Sequence, residues 1–271
     1  MTELMGIDVS VHNGTINWEK LASKIGFAIL RAGYGMFEFQ KDPQFERNYA
    51  ECKRLGIPVG VYHYSYAKTE GQAKREAEIM LKWLEGKSLE LPVYFDIEDK
   101  SQNGLGRDIL TNMCIEYCTV IENAGFWAGV YANKYWFESL LNKEVLGNKY
   151  TCWVAQYSLE CTYSGKYDIW QKLSTGKLEG INGNVDIDIM KRDLISDIAK
   201  TKNKLEIQVD YLEHYVKWGE NLTKIAKKYG TSVNQIVKDN NIQNPNKIFV
   251  GQVLLIRKWW FYVCWWNNGW Q

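Results

Sequence analysis

Eight apolar runs of strand length recur between residues 5 and 190, separated by helical patterns or short polar turns. They are MGIDVS (5–10), FAILRAGYG (27–35), PVGVYHYSYA (58–67), LPVYFDIE (91–98), WAGVYAN (127–133), TCWVAQYS (151–158), YDIWQKL (167–173) and NVDIDIM (184–190). Their apolarity is nearly continuous instead of alternating, which predicts strands covered on both faces, as in a parallel sheet. Helical patterns fill the early gaps at 17–25, 45–56, 69–86, 107–125 and 135–142. The third opens on a Thr69/Gln72 capping box and closes on Gly86. Strand–helix alternation predicts right-handed βαβ units, and eight strands permit closure into a barrel. Beyond the sixth run the gaps shrink to turns rich in Gly, Ser and Asn. The expected fold is therefore α/β: an irregular (β/α) barrel of eight strands and five helices.

The texture changes near residue 193. Residues 193–212 are lysine-rich without a strong period and read as the end of the barrel plus a linker. Residues 213–258 read as strand, helix, helix and strand, with Gly230 stopping the first helix and Ser232 capping the second. About 45 residues lies near the lower limit for a unit that folds alone. Residues 259–271, WWFYVCWWNNGWQ, hold five of the twelve tryptophans. Exposed, such a tail is a binding patch or an aggregation liability; packed, which is the favoured reading, it covers the module or a partner chain and gives a route to self-association. Charge divides at the same boundary. Residues 200–271 carry 11 Lys and Arg against 5 Asp and Glu, whereas residues 1–199 carry 22 against 27. A basic module behind an acidic body suits an anionic partner.

Several classes are excluded. The six cysteines show no CxxC pair and no metal-ligand spacing, so they read as reduced structural thiols. There is no HExxH, no Walker A sequence and no dinucleotide fingerprint. With three histidines in the chain, neither a metal site nor a cofactor is expected, and His63 reads as a hydrogen-bonded barrel residue. No run is long enough to span a bilayer, the start MTELMGIDVS lacks a signal peptide's pattern, and no nucleic-acid partner is indicated. Synthesis in the cytoplasm is expected.

Catalytic groups of a parallel barrel gather where strands end and βα-loops begin. Acids mark those ends: Asp8, Asp96 and Glu98, and Asp186 with Asp188. Residues two apart on a strand share a side, so Asp96 and Glu98 fall on one face, roughly 6–7 Å apart along the backbone. Adjacent like charges raise one pKa and keep a carboxylic acid protonated near neutrality. Glycosidic cleavage needs that pairing of a proton donor with a carboxylate that stabilises positive charge. Asp99 and Asp188 read instead as solvated strand ends or helix caps. Tyr62, Tyr64, Tyr131, Trp153, Tyr157 and the Trp170–Gln171 pair ring the same rim, where sugar faces stack and hydroxyls find partners.

Taken together, GIDVSxxNGxINW (6–18), PVGVYHYSYA (58–67), VYFDIED (93–99), WVAQY (153–157), IWQ (169–171) and VDID (185–188) resemble the glycoside hydrolase family 25 lysozymes. The resemblance covers residues 5 to about 192. It implies a flattened barrel of eight strands and five helices that cleaves the β-1,4 bond between N-acetylmuramic acid and N-acetylglucosamine in peptidoglycan. It implies Glu98 as general acid, Asp96 as its partner carboxylate, and Asp8 and Asp186 as the remaining acids, with Tyr62, Tyr64, Tyr131, Trp153 and Gln171 contacting substrate. Attack by Asp96 or by the substrate's own N-acetyl group stays open; two acids on one strand favour the second, a retaining route. Residues 213–258 resemble a LysM module, with Trp218-Gly219-Glu220-Asn221-Leu222 in place of its usual opening of a small residue followed by Gly-Asp-Thr-Leu. That implies glycan contacts from Gly219, Glu220, Asn221 and Leu222, and from Asn244, Pro245, Lys247 and Ile248. The reading that follows is a peptidoglycan hydrolase of the phage endolysin type, released to the wall through a membrane pore. A silent wall-binding protein and a chitinase-like glycosidase are the alternatives; the acid ladder DxxDxDxE of the latter is absent.

Overall fold

The computed structural model describes residues 3–207 and 211–257. The tryptophan-rich tail and Cys264 lie outside the described residues. Chain contacts divide the protein into two units, Met1–Ala199 and Lys200–Gln271.

In the first unit eight strands close a barrel in chain order: β1 (Leu4–Val9), β2 (Phe27–Tyr34), β3 (Val59–Tyr64), β4 (Val93–Asp96), β5 (Ala128–Asn133), β6 (Thr151–Ala155), β7 (Ile169–Gly176) and β8 (Val185–Met190). Alternate residues of each strand serve two different cores, which is why the runs are apolar throughout. On β4, Val93 and Phe95 point outward into the layer beneath the helices, while Tyr94 points inward with Phe27, Ile29, Tyr131, Trp153 and Ile169. Close packing inside needs missing side chains: a Cβ on Gly129 would sit 2.4 Å from the Tyr94 ring. The inward residues are apolar at one end of the barrel and turn polar at the other. That polar end is the mouth.

Strand direction differs from expectation at one place. β1 to β7 are parallel, but β8 is antiparallel to both β7 and β1. The cause is the short connection after Gly176; a parallel return would need a crossover of a dozen or more residues. The reversal places the start of β8, not its end, at the mouth, with Asp186 paired to Asp8.

Helices α1 (Trp18–Leu21), α2 (Phe45–Arg54), α3 (Glu70–Trp83), α4 (Arg107–Asn123) and α5 (Lys143–Lys149) cover the outside. Thr69 caps α3, its side chain accepting from the Gln72 N–H at 3.2 Å. Cys114 and Cys118 share the buried face of α4, and burial pushes both thiols up. The helix expected over 135–142 is instead a π-helical turn at Trp136–Leu140, with α5 following separately from the Asn142 cap. A second difference is a helix that the pattern over 193–212 did not announce. What reads as linker is helical over Leu194–Ile207 (α6), and Leu194 and Ile198 plug the apolar end of the barrel.

The second unit pairs β9 (Tyr211–Tyr215) with antiparallel β10 (Val253–Arg257), bracketing α7 (Leu222–Tyr229) and α8 (Val233–Asp239). Asn221 and Ser232 cap the helices, and Gly230 ends α7 at φ 64°. Val216, Leu222, Ile225, Ala226, Ile236, Leu254 and Ile256 form its own small core.

Candidate active site

The mouth holds a cleft of about 360 Å³ lined by Asp8, Arg31, Tyr62, Tyr64, Asp96, Glu98, Tyr131, Trp153, Tyr157, Gln171 and Asp186, with Val9, Ser10, His12 and Asn13 at its edge. All nine residues expected from the sequence to form the catalytic and sugar-contacting set therefore meet in one cavity. Asp96 is the last residue of β4, between Tyr64 of β3 and Tyr131 of β5. Glu98 lies just past the strand's end, half-buried, while Ile97 between them faces the outer core.

A hydrogen-bond chain runs across the floor. The Tyr131 and Tyr157 hydroxyls donate to Gln171 Oε1 at 2.9 and 3.0 Å, and Gln171 Nε2 donates to Asp8 Oδ2 at 2.7 Å. Trp153 Nε1 donates to Asp188 Oδ1 at 2.8 Å, and the Trp153 ring packs edge-to-face with Tyr62 and Tyr94 and at a tilt against Tyr131. On the opposite wall Arg31 Nε donates to Asp42 Oδ2 at 2.8 Å. The same oxygen accepts from the Val11 N–H at 3.0 Å, so one carboxylate fixes both Arg31 and the loop that carries Ser10, His12 and Asn13.

Burial is the largest influence on each of the four acids that line the cleft. It pushes the Asp96 carboxyl well above the usual carboxylate range; the Glu98 charge adds to that, and the Arg31 guanidinium opposes it. Glu98 is raised by burial, then by Asp186 and Asp99. The two therefore release protons as a pair, the first loss making the second harder. Asp186 is raised by burial as well. Asp99 behaves oppositely. It caps the turn at Lys100–Gln102, accepts from the Ser101 N–H and the Tyr64 hydroxyl, and is held below its ordinary value. The helix-cap reading of Asp99 fits this; the same reading of Asp188 does not. Asp188 is fully buried inside the barrel, because its strand runs downward from the mouth.

Arg31 and Asp42 were not legible as site residues. Arg31 is the one charged position in FAILRAGYG, and that interruption of an apolar run was the available signal. Tyr157, expected on a strand, lies in the loop beyond Ala155. Trp170 turns away from the cleft and donates to the Gln156 carbonyl at 2.8 Å. His63 faces outward, buried against Trp83 and Tyr117, with Nε2 on the Gly35 carbonyl at 2.8 Å. Among the described residues, no group of three or more His, Cys, Asp or Glu side chains is arranged to hold a metal ion, and no helix is long and apolar enough to cross a membrane.

Residues 7–181 match the family model of the glycosyl hydrolases family 25. The chain belongs to that family. Residues 214–257 match the LysM domain. Over 198 residues the chain is 26% identical to Lysozyme M1 of Streptomyces globisporus, covering 68% of this chain and 66% of that one. It is similar in structure to the modular autolysin LytC of Streptococcus pneumoniae, solved in complex with a synthetic peptidoglycan ligand, at 27% identity and a TM-score of 0.63. That match covers 69% of this chain and 46% of LytC. The CTP1L endolysin is similar at 25% identity and a TM-score of 0.64, with 73% of this chain and 70% of that one covered.

In the LysM domain the expected contact residues divide. Gly219 is exposed with φ 80°, while Asn244, Pro245 and Lys247 are exposed in the loop before β10. Leu222 is a correction: it sits in the domain core at 2% exposure, because it begins the apolar face of α7. Asn221 spends its side chain on the Lys224 N–H, and Ile248 packs against the core. Glu220 Oε2 accepts from the Lys217 N–H at 2.8 Å and meets His214 Nε2 at 2.8 Å. Trp218 and Phe249, on the same two loops, present their rings to solvent at 90% and 70% exposure.

Proposed function

We propose that this family 25 enzyme is an N-acetylmuramidase: it cuts the β-1,4 bond between N-acetylmuramic acid and N-acetylglucosamine, and its LysM domain holds it to the wall. The observation that carries the reading is the placing of Asp96 and Glu98 on one inward row of β4 and its extension, in an aromatic-lined cleft. Glu98, with its pKa raised and its side chain half-exposed, is the proton donor to the leaving oxygen. Asp96 Oδ1 is buried without a protein donor among the described residues. That suits the N–H of a substrate N-acetyl group, whose carbonyl oxygen then attacks the anomeric carbon while Asp96 orients it. Expulsion of the leaving sugar takes the Glu98 proton. Water, deprotonated by Glu98, opens the cyclic intermediate and restores the original configuration.

Asp8 and Asp186 line the far side of the cleft and stabilise the positive charge that develops on the sugar ring. Tyr62, Tyr64, Tyr131 and Trp153 supply stacking faces and hydroxyls, and Gln171 sets the two tyrosine hydroxyls of the floor. In the LysM domain Gly219, Glu220, Asn244, Pro245 and Lys247, with Trp218 and Phe249, form the glycan-facing loops. The tether raises the effective concentration of substrate at the barrel. The likeness to an endolysin supports action on the bacterial wall, reached after release through a membrane pore.

The test is digestion of purified peptidoglycan by the wild type and by Glu98→Gln, with the new reducing ends identified. Reducing-end muramic acid from the wild type alone is the expected result. Reducing-end glucosamine, or full activity in the variant, overturns the assignment.

A further inference from the structure

The inward acids at the mouth are not equivalent. Asp188 lines none of the cleft; it lies one layer below, opposite Gly6 on β1 and Gln171 on β7. Asp8 and Asp188 are 6% and 0% exposed on the paired strands β1 and β8, and their carboxyls approach closely enough to share a hydrogen bond. Each has one further partner, Gln171 Nε2 for Asp8 and Trp153 Nε1 for Asp188. An ionised carboxylate only accepts, so two carboxyls bond only when one of them keeps a proton. With both ionised, Asp188 Oδ2 would be a buried acceptor without a donor, beside a like charge.

We propose that Asp8 and Asp188 hold one shared proton, and that Asp188 is a positioning residue which, through that proton, fixes Asp8, Gln171 and the Tyr131 and Tyr157 hydroxyls. The link to catalysis rests on the glycosidase reading of the cleft. The shared proton itself does not. Its consequence follows the bond directions. Because Asp8 takes the Gln171 amide N–H, Oε1 of Gln171 is left facing both tyrosines, and the floor has a single arrangement. Loss of the proton sets two buried charges against each other and releases that arrangement.

The groups facing the pair are Asp186 on β8 itself, Tyr62 from β3, Tyr94 from β4, Tyr131 from β5, Tyr157 from the loop after β6, and the neutral Trp153 and Gln171. Arg31 from β2 is bonded to Asp42 and acts on Asp96. Burial, then the Asp186 charge, pushes the Asp188 carboxyl up to about 8; burial, then Asp188 and Asp186, pushes Asp8 well above its ordinary range. The pair therefore keeps at least one proton through neutral pH.

Two variants separate the proton from mere bulk. In Asp188→Asn the amide N–H donates to Asp8 and the amide oxygen accepts from Trp153, so the bonds survive without a titrating proton. Asp188→Leu keeps the size and removes the bonds. The Asn variant should retain wild-type kcat within about twofold below neutral pH, whereas the Leu variant should lose about 10- to 100-fold, the range seen when a partner that orients a site residue is removed. In the wild type, the alkaline limb of log kcat/KM should fall with a slope of about −1 once Glu98 ionises, then steepen to about −2 above the pair's pKa. The Asn variant should keep the shallower slope.

Melting temperature gives a readout without substrate. A carboxyl whose folded pKa is raised contributes stability at low pH that is lost as pH rises through the folded value. The contribution to wild-type Tm should therefore decline as pH rises from the ordinary carboxylate range to about 8 and level off above it, and the Asn variant should decline less over that window. An Asn variant as inactive as the Leu variant, or one with the wild-type pH dependence of Tm, overturns the proposal. An inactive wild type with the melting difference intact overturns the glycosidase reading and upholds the shared proton.

Discussion

Asp42 bears more of the site's architecture than its place in a surface-reading loop suggests, and its removal is the sharpest test of how the cleft is built. Its carboxylate is 3% exposed and accepts three bonds: from Arg31 Nε and the Val11 N–H on Oδ2, and from the Gln44 N–H on Oδ1. The Arg31 side chain is only 13% exposed. Asp42→Ala would leave that guanidinium buried without its ion-pair partner and two backbone N–H groups without acceptors. Removing one member of a buried pair costs about 3–5 kcal/mol. For a unit of nearly 200 residues each kcal/mol moves Tm by about 2–4 °C, so calorimetry should show the larger transition lowered by about 6–20 °C. Asp42→Asn keeps an acceptor for the backbone and should fall between the two. Below the melting range, the Ala variant should also lose kcat, because Arg31 no longer holds the Asp96 pKa down. A Tm within about 2 °C of wild type would refute the buried-pair reasoning. A large Tm loss with unchanged kcat would refute the link from Arg31 to Asp96.

Three further outcomes are expected. Glu98→Gln should lower kcat by about 10²- to 10⁴-fold with little change in KM, because the proton is transferred only in the transition state; steady-state assays on soluble glycan fragments measure this. His63 is held neutral by burial, which lowers its pKa to about 3 against the opposing bond to Gly35. The unfolded chain binds that proton below about pH 6.5 and the folded one does not until about pH 3, so stability falls as pH drops through that window, by about 3 kcal/mol at pH 4. Urea titrations should show His63→Gln losing less on acidification than the wild type does. In the LysM domain, Glu220→Ala frees the Lys217–Gly219 turn, and cosedimentation of the whole chain with cell walls should weaken about 3- to 10-fold, the worth of one or two modest hydrogen bonds. Activity on soluble fragments should be unchanged.

The strands were legible because each faces two apolar layers, and the acids because a carboxylate at the end of such a run marks where burial stops. Asp8, Asp96, Glu98 and Asp186 needed only that contrast. Strand direction was not legible, since an apolar run reads alike both ways; only the short gap after Gly176 hinted at the reversal. Asp188 was misread for the same reason: on a strand leaving the mouth, the second acid goes deeper instead of outward. Arg31, Asp42 and Glu76 were hidden because their meaning lies in partners distant in sequence. Glu76 looks like one more polar position on α3, yet it is fully buried and accepts from the Tyr66 N–H at 2.9 Å, behind the loop that follows β3. The helix α6 was missed because its lysines blur the apolar stripe of Leu194 and Ile198.

The reversed strand also bears on when activity can arise during folding. β7 and β8 are neighbours in sequence and can pair as a hairpin early, whereas the β1–β8 seam joins the two ends of the unit. Contacts across such a separation form late, because the intervening loop entropy must be overcome first. Gln171 reaches Asp8 across 163 residues, and Asp8 meets Asp186 and Asp188 only through that seam. A chain in which seven strands are already paired still has half of its acids on the wrong side of an open edge. Ring closure and site assembly are therefore one event, so a partly folded chain has no means of cutting glycan in the cell that makes it.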